Sequence, residues 1–343
     1  MSPTILLMIL SGLGTGTMIT MFSYHWLLAW TGLEINTLAI IPMMAKKHHP
    51  RATEAATKYF LTQAAASAMI LFSSSINAWY SGQWDITNIT NEPASILLTI
   101  ALAMKLGLAP LHFWLPEVLQ GTTLTTAMII TTWQKLAPMT LLILTQHKLN
   151  STLLMTLGIL SILVGGWGGL NQTQLRKIMA FSSIAHLGWM VTVLTLMPTL
   201  TIINLIIYIA MTLTTFLLLI MMNSKTIQNM TTAWMTSPTL STITMMTLLS
   251  LSGLPPLTGF LPKWLILQEL VVQHMTPLAT IMSISTLLSL FFYLRLSYTT
   301  TLTIQPNMTS PSQKWRFKPN NQTALMVSLS ILSLLLLPIT PTT

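Results

Sequence analysis

Four charged residues stand in stretches otherwise as apolar as a membrane helix: Glu34 in "WLLAWTGLEINTLAIIPMM", Lys105 in "KLGLAPLHFWLPE", Lys135 in "IITTWQKLAPMTLLIL" and Lys263 at the end of "GLPPLTGFLPK". A charge at the bilayer centre costs about 2.5–3.5 kcal/mol on insertion scales, so four of them point to function rather than packing. Desolvation disfavours an ammonium, and a nearby carboxylate favours it. At roughly 7 Å and an effective dielectric of about 20, a Glu–Lys pair is worth about 2.4 kcal/mol. Moving one charge against 100 mV costs about 2.3 kcal/mol. Making and breaking such a pair is therefore the right size to drive a proton step. Glu34, Lys105, Lys135 and Lys263 form a candidate proton chain, with His112 and His186 as candidate relays because histidine titrates near neutral pH. The structural alternatives are snorkelling lysines, a fixed Glu34–Lys105 ion pair, and histidines that only pack.

The elements that must position these residues are broken helices. "GLAPLHFWLPE" and "GLPPLTGFLPK" match at Gly107/Gly253, Leu108/Leu254, Pro110/Pro256, Leu111/Leu257, Leu115/Leu261 and Pro116/Pro262. Proline has no N–H, so Pro110 is expected to free the carbonyl of Leu106, Pro116 that of His112, Pro138 that of Gln134, and Pro255 and Pro256 those of Leu251 and Ser252. Unpaired carbonyls survive in a membrane only where protein or water meets them.

The composition demands a membrane. The chain of 343 residues is 52% hydrophobic and only 6% charged, against about 25% charged in soluble domains. The apolar residues come in long blocks, the pattern of a polytopic helical membrane protein. Eleven spans are predicted, at about 2–22, 24–45, 58–80, 94–121, 123–146, 149–170, 176–196, 199–222, 238–272, 276–296 and 323–341. On this count one face receives Lys46, Lys47, Arg51, Lys58, Arg176, Lys177, Lys225, Arg295, Lys314, Arg316 and Lys318 against Glu54 and Glu117, a net +9. The other receives Lys148 against Asp85, Glu92 and Glu269, a net −2. So one-sided a distribution follows the positive-inside rule, with the N-terminus on the basic face. It also explains the basic balance without nucleic acid.

Five crossings separate the matching strings, so they run in opposite directions. The expected organisation is one membrane domain with a first five-helix repeat over 1–146, an inverted second repeat over 147–296, and a basic loop plus final helix over 297–343. Broken helices at equivalent positions of inverted halves point to a transport site. Gly12/Gly16 and Gly165/Gly169 have the spacing for close helix packing. Trp26, Trp79, Tyr80, Trp84 and Trp234 read as interfacial belts, and His48 and His49 as solvated loop residues. With no cysteine, the chain offers no thiolate for zinc or an iron–sulfur cluster. No nucleotide, metal or redox-cofactor motif is evident.

"KLGLAPLHFWLPEVLQG", "WQKLAP" and "LSGLPPLTGFLPKW" resemble the proton-translocating, antiporter-like membrane subunits of respiratory complex I. The resemblance covers essentially the whole chain and is nearest to the mammalian mitochondrial members. It implies the same two inverted five-helix repeats and places the family's functional glutamate and lysines on Glu34, Lys105, Lys135 and Lys263. Most members have about fourteen helices; this chain resembles the shortened animal form that lacks the first three. The implied function is proton translocation across the mitochondrial inner membrane, driven by electron transfer from NADH to ubiquinone. The implied basic face is the matrix side, with the C-terminus in the intermembrane space. NADH, FMN, iron–sulfur clusters and ubiquinone would act in other subunits, with no cofactor bound by this chain. Implied partners are other membrane subunits, in a hetero-oligomer, and lipids such as cardiolipin. A stand-alone cation/proton antiporter and a non-conducting spacer are the alternatives.

Overall fold

A computed structural model describes residues 3–47, 49–301 and 323–335. The expected positions His48, Lys314, Arg316 and Lys318, the side chain of Trp234, and the predicted end of the last span lie outside the described residues. The described residues form helices and turns, with no strand among them beyond two isolated bridges. In chain order the helices are α1 (Pro3–Phe22), α2 (Trp26–Met44), α3 (Pro50–Ser81), α4 (Glu92–Leu106), α5 (Trp114–Gly121), α6 (Leu124–Thr131), α7 (Leu136–Thr145) and α8 (Ser151–Gly169). They continue as α9 (Leu175–Leu194), α10 (Pro198–Met221), α11 (Ile227–Thr236), α12 (Pro238–Ser252), α13 (Phe260–Val272), α14 (Thr276–Thr301) and α15 (Thr323–Leu335).

Among the described residues, eight segments are long and apolar enough to cross a membrane: α1, α2, α3, the run Leu124–Lys148 that holds α6 and α7, α8, α9, α10 and α14. The interrupted pairs α4/α5 and α12/α13, with α15, supply the rest of the eleven read from the sequence. Buried hydroxyls cost little in these helices because they bond to their own backbone; Thr20, Ser73 and Thr247 each donate to a carbonyl three residues back. The chain divides into two compact units, Met1–Ser161 with Met190–Pro198, and Ile162–Trp189 with Thr199–Thr343.

Both matching strings break at their glycine. Gly107 sits at φ 77°, ψ 41° and Gly253 at φ 82°, ψ 42°. Gly107 N–H donates to Ala103 and Met104 carbonyls, and Leu108 N–H to Ala103; Gly253 and Leu254 repeat the pattern on Leu249 and Ser250. This is the left-handed glycine cap that closes a helix. The prolines therefore act differently from the expectation. Pro110 and Pro256 lie in the connecting turns. Pro116, Pro138 and Pro262 each occupy the third residue of a restarting helix, α5, α7 and α13. There the backbone N–H has no intrahelical acceptor to lose. The carbonyl of His112 is not freed by Pro116: it receives the N–H of Leu115 at 3.0 Å.

Other details also differ. α3 begins at Pro50, because His49 caps it by accepting the Arg51 N–H through Nδ1 at 3.2 Å; this histidine is a cap rather than a merely solvated residue. Trp26 is 1% exposed, hence core and not interfacial, whereas Trp79 and Tyr80 are exposed as expected. α11 adds a short amphipathic helix before Pro238, which starts α12. In the first unit, Gly16 packs against the Gly32 carbonyl where α1 meets α2. In the second, Arg295 donates to the carbonyls of Leu170 and Gln172, joining α14 to the turn before α9.

A β-carbon at Gly107 would stand 3.1 Å from Leu115 Cδ1, and one at Gly253 2.9 Å from Lys263 Nζ, both in left-handed backbone. Gly107→Ala and Gly253→Ala are each expected to destabilise the protein by about 1–2 kcal/mol, read as a lower thermal midpoint of the solubilised assembly, while Gly14→Ala, in open space on ordinary helical backbone, leaves the midpoint unchanged.

Candidate functional site in the membrane core

The first unit gathers Lys105 and Lys135 in one cavity. Lys105 is the penultimate residue of α4, beside the Gly107 cap. Lys135 ends a 3-10 turn, Trp133–Lys135, between α6 and α7. Both are buried, at 6% and 3% exposure. Leu33, Asn36 and Thr37 of α2, Tyr59 and Gln63 of α3, Leu106 of α4, Trp114 of α5, and Ile130, Gln134 and Pro138 of the fifth span complete the lining. The room open to water is ≈ 10 Å³, about what a single molecule needs.

Each lysine therefore sits where a helix is interrupted, close to carbonyls that carry the negative end of the helix dipole. At the first break the indole of Trp114 covers the helix end, donating from Nε1 to the Met104 carbonyl at 3.0 Å. Gln134 ties the 3-10 turn to α2 by donating to the Asn36 carbonyl at 3.2 Å, and its Oε1 receives the Tyr59 hydroxyl at 3.5 Å. The Tyr59 ring meets Trp114 edge-on, centroids 5.8 Å apart.

Glu34 lies on α2, half-buried. Its Oε2 accepts the hydroxyl of Thr37 at 3.2 Å, and Thr37 reaches the cavity wall. Its charge acts on Lys105 and on Tyr59, but Glu34 and Lys105 do not make a contact ion pair. The fixed clamp weighed in the sequence is thus absent. The contact ion pairs of this region lie further along α3, where Lys58 Nζ meets Glu54 at 2.6 Å and Glu117 at 2.7 Å and so anchors α5 to α3.

The second unit places Lys263 with His186. Both line a small cavity with Ser182, Ala185, Trp189, Ser289 and Tyr293. Lys263 folds back over Gly253, and its Nζ donates to the Ser252 carbonyl, the last of α12, at 2.8 Å. An ammonium on a helix C-terminus is favourable in both charge and hydrogen bonding. His186 packs on Tyr208, ring centroids 5.5 Å apart. His112 does not line the cavity of the first unit: it is buried in the turn before α5, where its imidazole bonds to the Pro110 backbone and tilts against Phe113 at 4.3 Å.

Sequence reasoning missed Asn36, Tyr59, Gln63, Trp114 and Gln134. A signal was available: Tyr59, Gln63, Ser67 and Ser74 fall on one buried face of α3 at helical spacing.

An all-helical membrane fold with two glycine-capped broken helices and buried lysines at the breaks defines an antiporter-like ion-translocating subunit. The comparisons agree. A family model described as NADH:quinone oxidoreductase/Mrp antiporter, transmembrane, matches residues 23–289, and one described as NADH dehydrogenase subunit 2 C-terminus matches 290–343. NADH-ubiquinone oxidoreductase chain 2 of Squalus acanthias is 58% identical over 342 residues, covering 100% of this chain and 98% of its own length. That of Latimeria chalumnae is 55% identical, again covering 100% and 98%. A chain of respiratory complex I from Thermus thermophilus, solved with bound aureothin, superposes with a TM-score of 0.84 at 27% identity, covering 94% of this chain and 75% of that one. The chain belongs to the NADH-ubiquinone oxidoreductase chain 2 family, as the quoted motifs implied.

Phe260 stands at the place in the second string that Trp114 holds in the first, so the second string has no indole at that position. Trp114→Phe should remove the bond to Met104 and cost about 1 kcal/mol. Thermal unfolding of the solubilised assembly should show that loss, and Phe260→Leu should not reproduce it.

Proposed function

We propose that this chain carries protons across the mitochondrial inner membrane as a membrane subunit of NADH-ubiquinone oxidoreductase. The observation that carries the reading is the shared cavity of Lys105 and Lys135: two buried amines, from different segments, line one small space, part polar and part apolar, at two helix interruptions. An amine holds a proton or passes it on without changing its covalent structure, and the polar lining lets it do either. Glu34 acts on Lys105 from a distance, so its own charge state shifts the balance between the two lysines. Lys263 and His186 form the corresponding station of the second unit, where the Ser252 carbonyl stabilises the ammonium.

On this reading the repeats occupy 1–146 and 147–296, followed by 297–343. The basic loops and the N-terminus face the matrix, and the C-terminus faces the intermembrane space. Arg176, Lys177 and Arg295 would then share the matrix surface. Neighbouring membrane subunits and anionic lipids such as cardiolipin are the partners. NADH, FMN, iron–sulfur clusters and ubiquinone do their chemistry in other subunits; the cysteine-free chain offers no thiolate for a cluster.

Lys105→Met and Lys135→Met, in the intact complex in sealed membranes, are each expected to slow proton pumping by about a hundredfold with the assembly still present. Normal pumping by both variants overturns the reading. Ion exchange by the isolated chain in liposomes would favour a stand-alone antiporter instead.

A further inference from the structure

Where α1 turns into α2, the first unit builds a second and larger cavity. It has ≈ 280 Å³ of room and is lined by the end of α1, the turn into α2, residues 85–87 and Leu144. Asp85 is the charged residue of the lining; no lysine, arginine or histidine joins it there. Among the described residues its carboxylate makes no ion pair. His25 pairs with Asp85 through the main chain, but its side chain is engaged elsewhere. Its Nδ1 accepts the Leu27 N–H at 3.2 Å, and its ring stacks on Trp84, centroids 5.7 Å apart. Two main-chain bonds fix the wall: Trp26 N–H donates to the Trp84 carbonyl at 3.1 Å, and Ile86 N–H to that of Tyr24 at 3.0 Å. Phe22 and Tyr24 are left largely exposed. The lining thus combines a carboxylate and the Thr87 hydroxyl with Met21, Phe22, Leu144 and the ring of Tyr24.

We propose that this cavity binds the headgroup of a zwitterionic phospholipid, with the lipid's primary ammonium on the Asp85 carboxylate. The charge calls for a cation, and the lining selects which kind. A divalent metal ion takes about six oxygen ligands, more than one carboxylate and its neighbours supply. An organic ammonium donates to a carboxylate and is also drawn to an aromatic face; Asp85 and Tyr24 offer both. The place fits a lipid rather than a soluble amine. Phe22 is the last residue of α1 and Leu144 the next to last of α7, so the cavity sits where spans end, at the depth of the headgroups. Thr87 can donate its hydroxyl to the lipid phosphate. The acyl chains would run down α1 past Phe22 to Met18, which is exposed one turn earlier. Cardiolipin, with an anionic headgroup, suits basic pockets and has the wrong charge for this one. The inference is independent of the proton path.

The test uses the purified, assembled complex. It is exchanged with phosphatidylethanolamine carrying a photoreactive diazirine in its acyl chain near the glycerol, and in parallel with phosphatidylglycerol of the same chains. Adducts are mapped by peptide mass spectrometry. The ethanolamine lipid should label residues 18–24 or 85–87 about tenfold more than the glycerol lipid, the equivalent of one hydrogen bond to a charged group. Asp85→Asn should abolish that preference and Tyr24→Leu should weaken it. Tyr80→Leu, which removes an exposed aromatic outside the lining, should leave it intact. Equal labelling by the two lipids in the unsubstituted complex overturns the proposal, and that comparison needs no variant to assemble. An unchanged preference in Asp85→Asn overturns it as well. A lysine or arginine of a neighbouring subunit seated on Asp85, seen in a structure of the assembly, would give the cavity to protein instead of lipid and likewise overturn it.

Discussion

In a bilayer core a helix cannot be interrupted unless its freed carbonyls find partners, and an ammonium cannot be buried unless it finds polar contacts. At the second break of this protein each of these problems is the answer to the other. Lys105 stands at the end of α4, Lys135 in the 3-10 turn before α7, and Lys263 one residue past the proline of α13. The contact is direct at the second break, where Lys263 covers the Ser252 carbonyl. The interruptions are built alike: a helix closes, the chain turns, and a new helix restarts with proline in its third position. Proline is tolerated there because the first N–H groups of a helix have nothing to bond.

The matching strings diverge where their chemistry differs. Glu117 and Lys263 fall at equivalent places in the repeat. Lys263 turns inward onto its own helix end. Glu117 turns outward to Lys58, on a half-exposed face of α3. At the first break the indole of Trp114 does the capping that Lys263 does at the second. The lysine of the first unit, Lys105, is thereby left with its Nζ turned to a cavity rather than to a carbonyl. One backbone device thus holds its lysine tightly in one unit and leaves it available in the other.

Much of this was legible in the sequence. The number of spans, the two breaks and the four intramembrane charges are signals of composition and spacing, and one residue type in an apolar background is enough to see them. The proline argument located the breaks but assigned them to the wrong residues, because a helix ends where the backbone can turn left-handed, and that is a property of Gly107 and Gly253. Trp26 looked interfacial from its place at a span end; its burial depends on how the Tyr24–Trp26 and Trp84–Ile86 segments pair, and pairing is tertiary. Asn36, Tyr59 and Gln134 could not be joined from spacing alone, since they come from three helices 23 or more residues apart. His186 and Lys263 likewise meet only through the fold.

On the proton-path reading, the buried lysines at the helix breaks change protonation as the assembly turns over. Infrared difference spectroscopy of the complex, poised with and without NADH and carrying ¹⁵N-labelled lysine, reads this directly. Isotope-shifted ammonium bands that respond to turnover are expected, part of which disappears in Lys135→Met. Ammonium bands that respond identically with and without Lys135 would contradict it.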